Sequence, residues 1–163
     1  MFYGTATGFL AYCLARGINP ASTDTDVIEA ALLVTSEWLD GVYRSHFPGD
    51  KVNGRSQDRE WPREGAVDAY GYVIPDNIVP TEVENATYEA NIRQLANPGS
   101  LTVDFTTSKY KSVTVHGAIS VDYDQSLDAS YVQPSFPKVD QILYPVLITN
   151  VLSGALVGKS YRV

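Results

Sequence analysis

The sequence of 163 residues contains one cysteine, Cys13, which excludes an internal disulfide framework and a multi-cysteine zinc site. It has two histidines, His46 and His116, in unrelated contexts, with neither an H-E-x-x-H motif nor paired-histidine metal spacing. Apolar runs are only a few residues long, against the ~20 needed to span a bilayer, and nothing has the layout of a signal peptide. Cations are scarce as well, 12 Lys and Arg against 19 Asp and Glu, a net charge of -7. Acid in excess repels phosphate backbones and works against non-specific nucleic-acid binding. The expectation is a soluble, intracellular protein. A compact chain of this length buries on the order of 70% of its unfolded surface and needs no metal or disulfide to fold.

The charge is uneven. Residues 1–97 carry 14 acids and 7 bases, whereas residues 98–163 carry 5 of each. The sharpest basic cluster, Arg55, Arg59 and Arg63, is interleaved with Asp58, Glu60 and Glu64, which reads as a salt-bridged loop and not a phosphate groove. Eleven tyrosines are available for interfaces, where an apolar ring with a polar tip is favoured.

Periodicity divides the chain into a helical part, residues 1–99, a hairpin or extended arm, residues 100–136, and a C-terminal helix with a tail, residues 137–163. These are expected to form one domain. Phe9, Leu10, Cys13 and Leu14 make a helical stripe over Thr5–Arg16, with Tyr12 beside it and Gly17 as C-cap. A second helix runs to about Asp40, with Val27, Ala31, Val34 and Trp38 as its apolar face, flanked by Ile28, Leu32 and Leu39; Gly41 ends or bends it. Residues 44–80 form a long turn-rich loop that Trp61, Tyr70, Tyr72, Val73 and Ile74 pin to the helices. Thr81-x-x-Glu84 predicts a capping box opening a third helix to about Asn97, with Val83, Ala86 and Ala90 inside, and Tyr88, Ile92 and Leu95 at the side. Val113 and Val115, then Ile119, Val121 and Tyr123, alternate as two strands of a hairpin, which Leu101, Val103 and Phe105 extend. Pro137 starts a last helix with Val139, Ile142, Leu143, Val146 and Leu147 on its face, kinked or ended by Pro145. The fold class is mainly α with a β-hairpin (α+β).

No catalytic constellation emerges. Cys13 lies on an apolar stripe and reads as a small core residue. Gly158-Lys159-Ser160 lacks the glycine five positions earlier, and the helix, that a phosphate-binding loop requires. Asp122 and Asp124 read as the solvent face of a strand. Asn85-Ala86-Thr87 matches a glycosylation acceptor but falls within a helix. Neither a cofactor nor an enzymatic activity is expected.

One stretch is distinctive: Gln57-Asp58-Arg59-Glu60-Trp61-Pro62-Arg63, then Ile74-Pro75, then Ile78-Val79-Pro80 leading into the third helix. This pattern resembles the head–tail adaptor, or head-completion, proteins of tailed bacteriophages, relatives of which also carry the label DnaT-like single-stranded-DNA-binding protein. The first helix, the Ser112–Tyr123 hairpin, the Phe136–Leu147 helix and Arg162-Val163 match in order. His116 departs from the commoner valine or isoleucine, and Ser100–Ser108 is longer than the usual connection. The resemblance implies a small helical bundle with a projecting β-hairpin or arm and a C-terminal tail, assembled as a twelve-fold homo-oligomeric ring under the portal, in the virion neck. It implies contacts with the portal and with a tail or stopper protein, packaged dsDNA passing through the lumen without sequence readout, and no membrane. Before assembly the chain would reside in host cytoplasm. The expected portal contacts are Leu156, Val157, Lys159, Tyr161, Arg162 and Val163; the loop anchors are Gln57, Asp58, Trp61, Pro62 and Arg63; the inter-subunit hairpin residues are Val113, Val115, Ile119, Val121 and Tyr123. A single-stranded-DNA-binding replication accessory is the alternative, and it requires a basic groove with stacking aromatics.

Overall fold

In the computed structural model, residues 1–102, 112–115, 119–122 and 136–148 are described. Helix α1 spans Ala6–Ala15, capped by the Thr5 hydroxyl, which accepts from the Gly8 N–H. Its buried residues are Ala6, Phe9, Tyr12 and Cys13, while Leu14 is 82% exposed. The expected stripe is therefore turned by one position, with Tyr12 taking the place assigned to Leu14. Cys13 is indeed a core residue.

Helix α2, Thr25–Tyr43, starts at Asp24, whose carboxylate accepts from the N–H groups of Asp26 and Val27. Gly41 lies within it and does not end it. Its buried face runs Ile28, Leu32, Thr35 and Ser36, Leu39, Tyr43, whereas Val27 and Val34 are exposed, contrary to the sequence expectation. Two hydroxyls interrupt the apolar stripe on the buried side. The Thr35 and Ser36 side chains donate back to the carbonyls of Ala31 and Leu32, both at 2.7 Å, so neither is left unpaired.

Helix α3, Thr81–Ala96, begins at Pro80 with no side-chain cap, so the expected capping box is absent and Thr81 is the first helical residue. The remaining fit is close: Val83, Ala86, Tyr88 and Ala90 are buried. Helix α4, Pro137–Leu143, passes at Tyr144 into a 3-10 turn that includes Pro145, because proline cannot supply the N–H that would continue an α-helix.

Two short antiparallel pairs complete the described elements: β1 (Asp50–Lys51) with β2 (Arg63–Glu64), and β3 (Ser112–Val115) with β4 (Ile119–Asp122), in the register Val113↔Val121 and Val115↔Ile119. The hairpin expected from alternation thus forms; Tyr123 lies outside the described residues. Leu101 is not an extension of that hairpin but is 3% exposed in the main core. This core joins Tyr3, Trp38, Leu39, Phe47, Trp61, Val83, Ala90, Val139, Leu143 and Leu147, among others. A second cluster packs α1 against Ile28, Leu32 and Tyr88. The chain is mainly helical with a small two-stranded antiparallel hairpin.

Candidate interaction surface

The loop between α2 and α3 is built around Trp61. Its ring is 1% exposed and meets Phe47 edge-on at 5.6 Å between centroids, and its backbone N–H donates to the Tyr3 hydroxyl at 3.1 Å. The Trp61–Pro62 peptide is cis. Gln57 clamps both sides of the tryptophan, its Nε2 donating to the carbonyls of Arg59 and Pro62, each at 2.9 Å. Arg63 is buried; its Nε donates to the Pro48 carbonyl at 2.8 Å and its Nη1 pairs with Glu60 at 2.9 Å. Four of the five expected anchors therefore meet around the loop. Asp58 does not join them, being exposed.

Sequence reasoning missed the buried carboxylates that tie this loop to the helices. Asp40, 4% exposed, accepts from the Tyr3 hydroxyl at 2.5 Å and faces Arg59 Nη1 at 3.4 Å. Arg59 also reaches Glu37 and donates to the Met1 carbonyl at 2.7 Å. Burial raises the Asp40 pKa above the usual carboxylate value, with the Tyr3 bond and Arg59 acting against it. Glu89, on α3, gathers Lys138 at 2.8 Å, Arg93 at 3.1 Å and the Tyr12 hydroxyl at 3.2 Å. Burial tends to raise its pKa, but Lys138 and the other partners outweigh that and hold it low. Tyr12 is pushed up to about 12 by burial and by the Glu89 charge. The one available signal was a carboxylate at helical spacing from buried positions, Leu32, Ser36 and Asp40, which normally reads as an exposed edge.

The ion pairs decide what the surface offers. Of eight Lys and Arg in the described body, Arg44, Lys51, Arg59, Arg63, Arg93 and Lys138 face carboxylates within 4.0 Å. Arg16 lies over the Tyr12 ring at 3.5 Å, and Arg55 is exposed. No basic groove forms among the described residues.

What is displayed instead is a turn with an apolar crest. Val67 and Val73 bridge, the Asp68 N–H donates to the Tyr72 carbonyl at 2.9 Å, and the Asp68 carboxylate accepts from the N–H groups of Tyr70 and Tyr72. Gly71 supplies the positive φ (+90°) this turn needs. The Ala69 N–H donates to the Pro145 carbonyl at 2.8 Å, fastening the turn to the end of α4. On this scaffold Tyr70, Tyr72 and Val73 are 69%, 73% and 76% exposed, so they do not pin the loop as expected; Trp61 and Ile74 do.

A family model described as "Putative DnaT-like ssDNA binding protein" matches residues 3–163. The chain belongs to this family. The match spans every described helix, the Trp61 loop and both hairpin strands, so the DnaT-like label met in the sequence resemblance is the family's own description. No curated protein and no solved structure matches the chain. The expected portal contacts Leu156, Val157, Lys159, Tyr161, Arg162 and Val163 lie outside the described residues, as does Gly158-Lys159-Ser160.

Proposed function

We propose that this DnaT-like family member is a structural virion protein, a head–tail adaptor that forms a ring under the portal and joins the capsid vertex to the tail. One observation carries the reading: an exposed aromatic crest stands on a tightly bonded turn while the neighbouring cations are consumed in ion pairs. Such a surface suits protein interfaces, which favour tyrosine and exclude unpaired charge from their centre. A net charge of -7 suits a channel wall that dsDNA must slide past without adhering. In this reading the role is structural and not enzymatic, the hairpin residues Val113, Val115, Ile119 and Val121 meet neighbouring subunits, and the tail from Leu156 to Val163 meets the portal.

The family's printed description favours a second reading, single-stranded-DNA binding, for which Tyr70 and Tyr72 offer exposed stacking faces. One experiment separates the two. The purified chain is mixed with the portal from the same genome and, separately, with a labelled oligonucleotide between 50 and 200 mM salt. A ring of this chain stacked on the portal in electron micrographs supports the adaptor. Oligonucleotide binding that weakens steeply with salt, with no portal complex, overturns it in favour of the second reading.

A further inference from the structure

Beside the crest is a groove of about 220 Å³ between the Val67–Val73 turn and the 3-10 turn at Tyr144–Val146. Val73, Ile74, Pro80 and Val146 give it apolar walls, and its charged lining residues are both acids, Asp68 and Glu82. The volume admits a pair of apolar side chains and is too small for a helix. The chain leaves the described body beside it. Ile148 lies two residues beyond Val146 and is held by its N–H to the His46 carbonyl at 2.8 Å.

The 15 residues that follow, 149–163, match this lining in chemistry. They contain no acid, two cations, Lys159 and Arg162, and an apolar pair, Leu156-Val157, just before the first cation. We propose that the groove receives the chain's own C-terminal segment, with Leu156-Val157 between the apolar walls and Lys159 facing the acidic rim. Seven residues separate Ile148 from Leu156, and the eight Cα–Cα steps between them reach at most ~28 Å when extended, enough to fold back. Tethering at the groove's edge gives the segment a local concentration in the mM range, which no free competitor matches in dilute solution. The docking holds under either functional reading.

The test uses the full chain carrying Val73→Cys and Leu156→Cys, with Cys13 left buried. Mild oxidation is expected to give an intramolecular disulfide between positions 73 and 156 in a species of monomer mass. Disulfide-linked dimers would overturn the proposal by assigning the groove to a second copy's segment, and failure of the two thiols to link would overturn it outright. Independently, Val73→Asp in the otherwise unaltered chain, at a site 76% exposed and so without effect on the helical circular dichroism, is expected to speed tryptic cleavage after Lys159 at least tenfold. An unchanged rate contradicts the proposal.

Discussion

Asp40 and Glu89 each hold together segments that are distant along the chain. Asp40 joins the N-terminal residues, α2 and the Trp61 loop through Tyr3 and Arg59. Removing the cation leaves a buried carboxylate without its counter-charge, so Arg59→Met is expected to cost about 3–5 kcal/mol in urea denaturation. Trp61→Ala, which empties the centre of the loop, is expected to cost a similar amount, about 3–5 kcal/mol, by the same measurement. Glu89 gives a pH signature. Its folded pKa lies below the ordinary 4.5, so its stabilisation is fully present above that value and is lost as pH falls through the folded pKa. Asp40 has the opposite sign: its raised pKa contributes stability at low pH that is lost as pH rises through the folded value. The Glu89 effect must therefore be read as a difference. Thermal denaturation of Glu89→Gln and the parent is expected to show a gap of about 2 kcal/mol at neutral pH that narrows below pH 4.5. A gap independent of pH would contradict the assignment.

At the scale of elements, α2 makes the clearest prediction. Gly41 sits inside the helix, and a Cβ there meets nothing within 4 Å. Gly41→Ala is expected to stabilise the protein by about 0.5–1 kcal/mol, seen as a raised midpoint in denaturant. The same helix shows how far the sequence could be read. Its existence followed from a 3.6-residue period, and that of α4 with its interruption from Pro137 and Pro145. The identity of its buried face did not, because Thr35, Ser36 and Asp40 are polar by composition and become core residues only through partners, two of them local carbonyls and one an arginine 19 positions away. Likewise Trp61 was legible as an anchor, since a large ring in a turn-rich segment has few other uses, whereas Tyr70, Tyr72 and Val73 were not distinguishable from it. What sets those three apart is the Asp68 turn, which points them outward, and turn geometry depends on hydrogen bonds that composition does not specify.

Over the whole molecule, charge is distributed so that the body's cations serve its own cohesion. On the proposed adaptor reading, assembly through the crest should depend weakly on salt, because apolar contact and not ion pairing would drive it. On the same reading, Tyr72→Asp in the full chain is expected to abolish assembly of the ring on the portal, measured by light scattering, while leaving stability in denaturant within about 0.5 kcal/mol of the parent. A variant that still assembles would move the interface away from this turn. The order in which the core is filled has a further consequence. Among the described residues its members run from Tyr3 to Leu147, with α4 and the 3-10 turn after it supplying Val139, Leu143, Val146 and Leu147 to a cluster that otherwise draws on the first 101 residues. A ribosome adding 5–20 residues per second takes roughly 3–13 s to go from Val83 to that last contributor, Leu147. Throughout that interval Trp38, Phe47 and Val83 lack their covering helix, and the nascent chain offers the cell's chaperones a continuous apolar face.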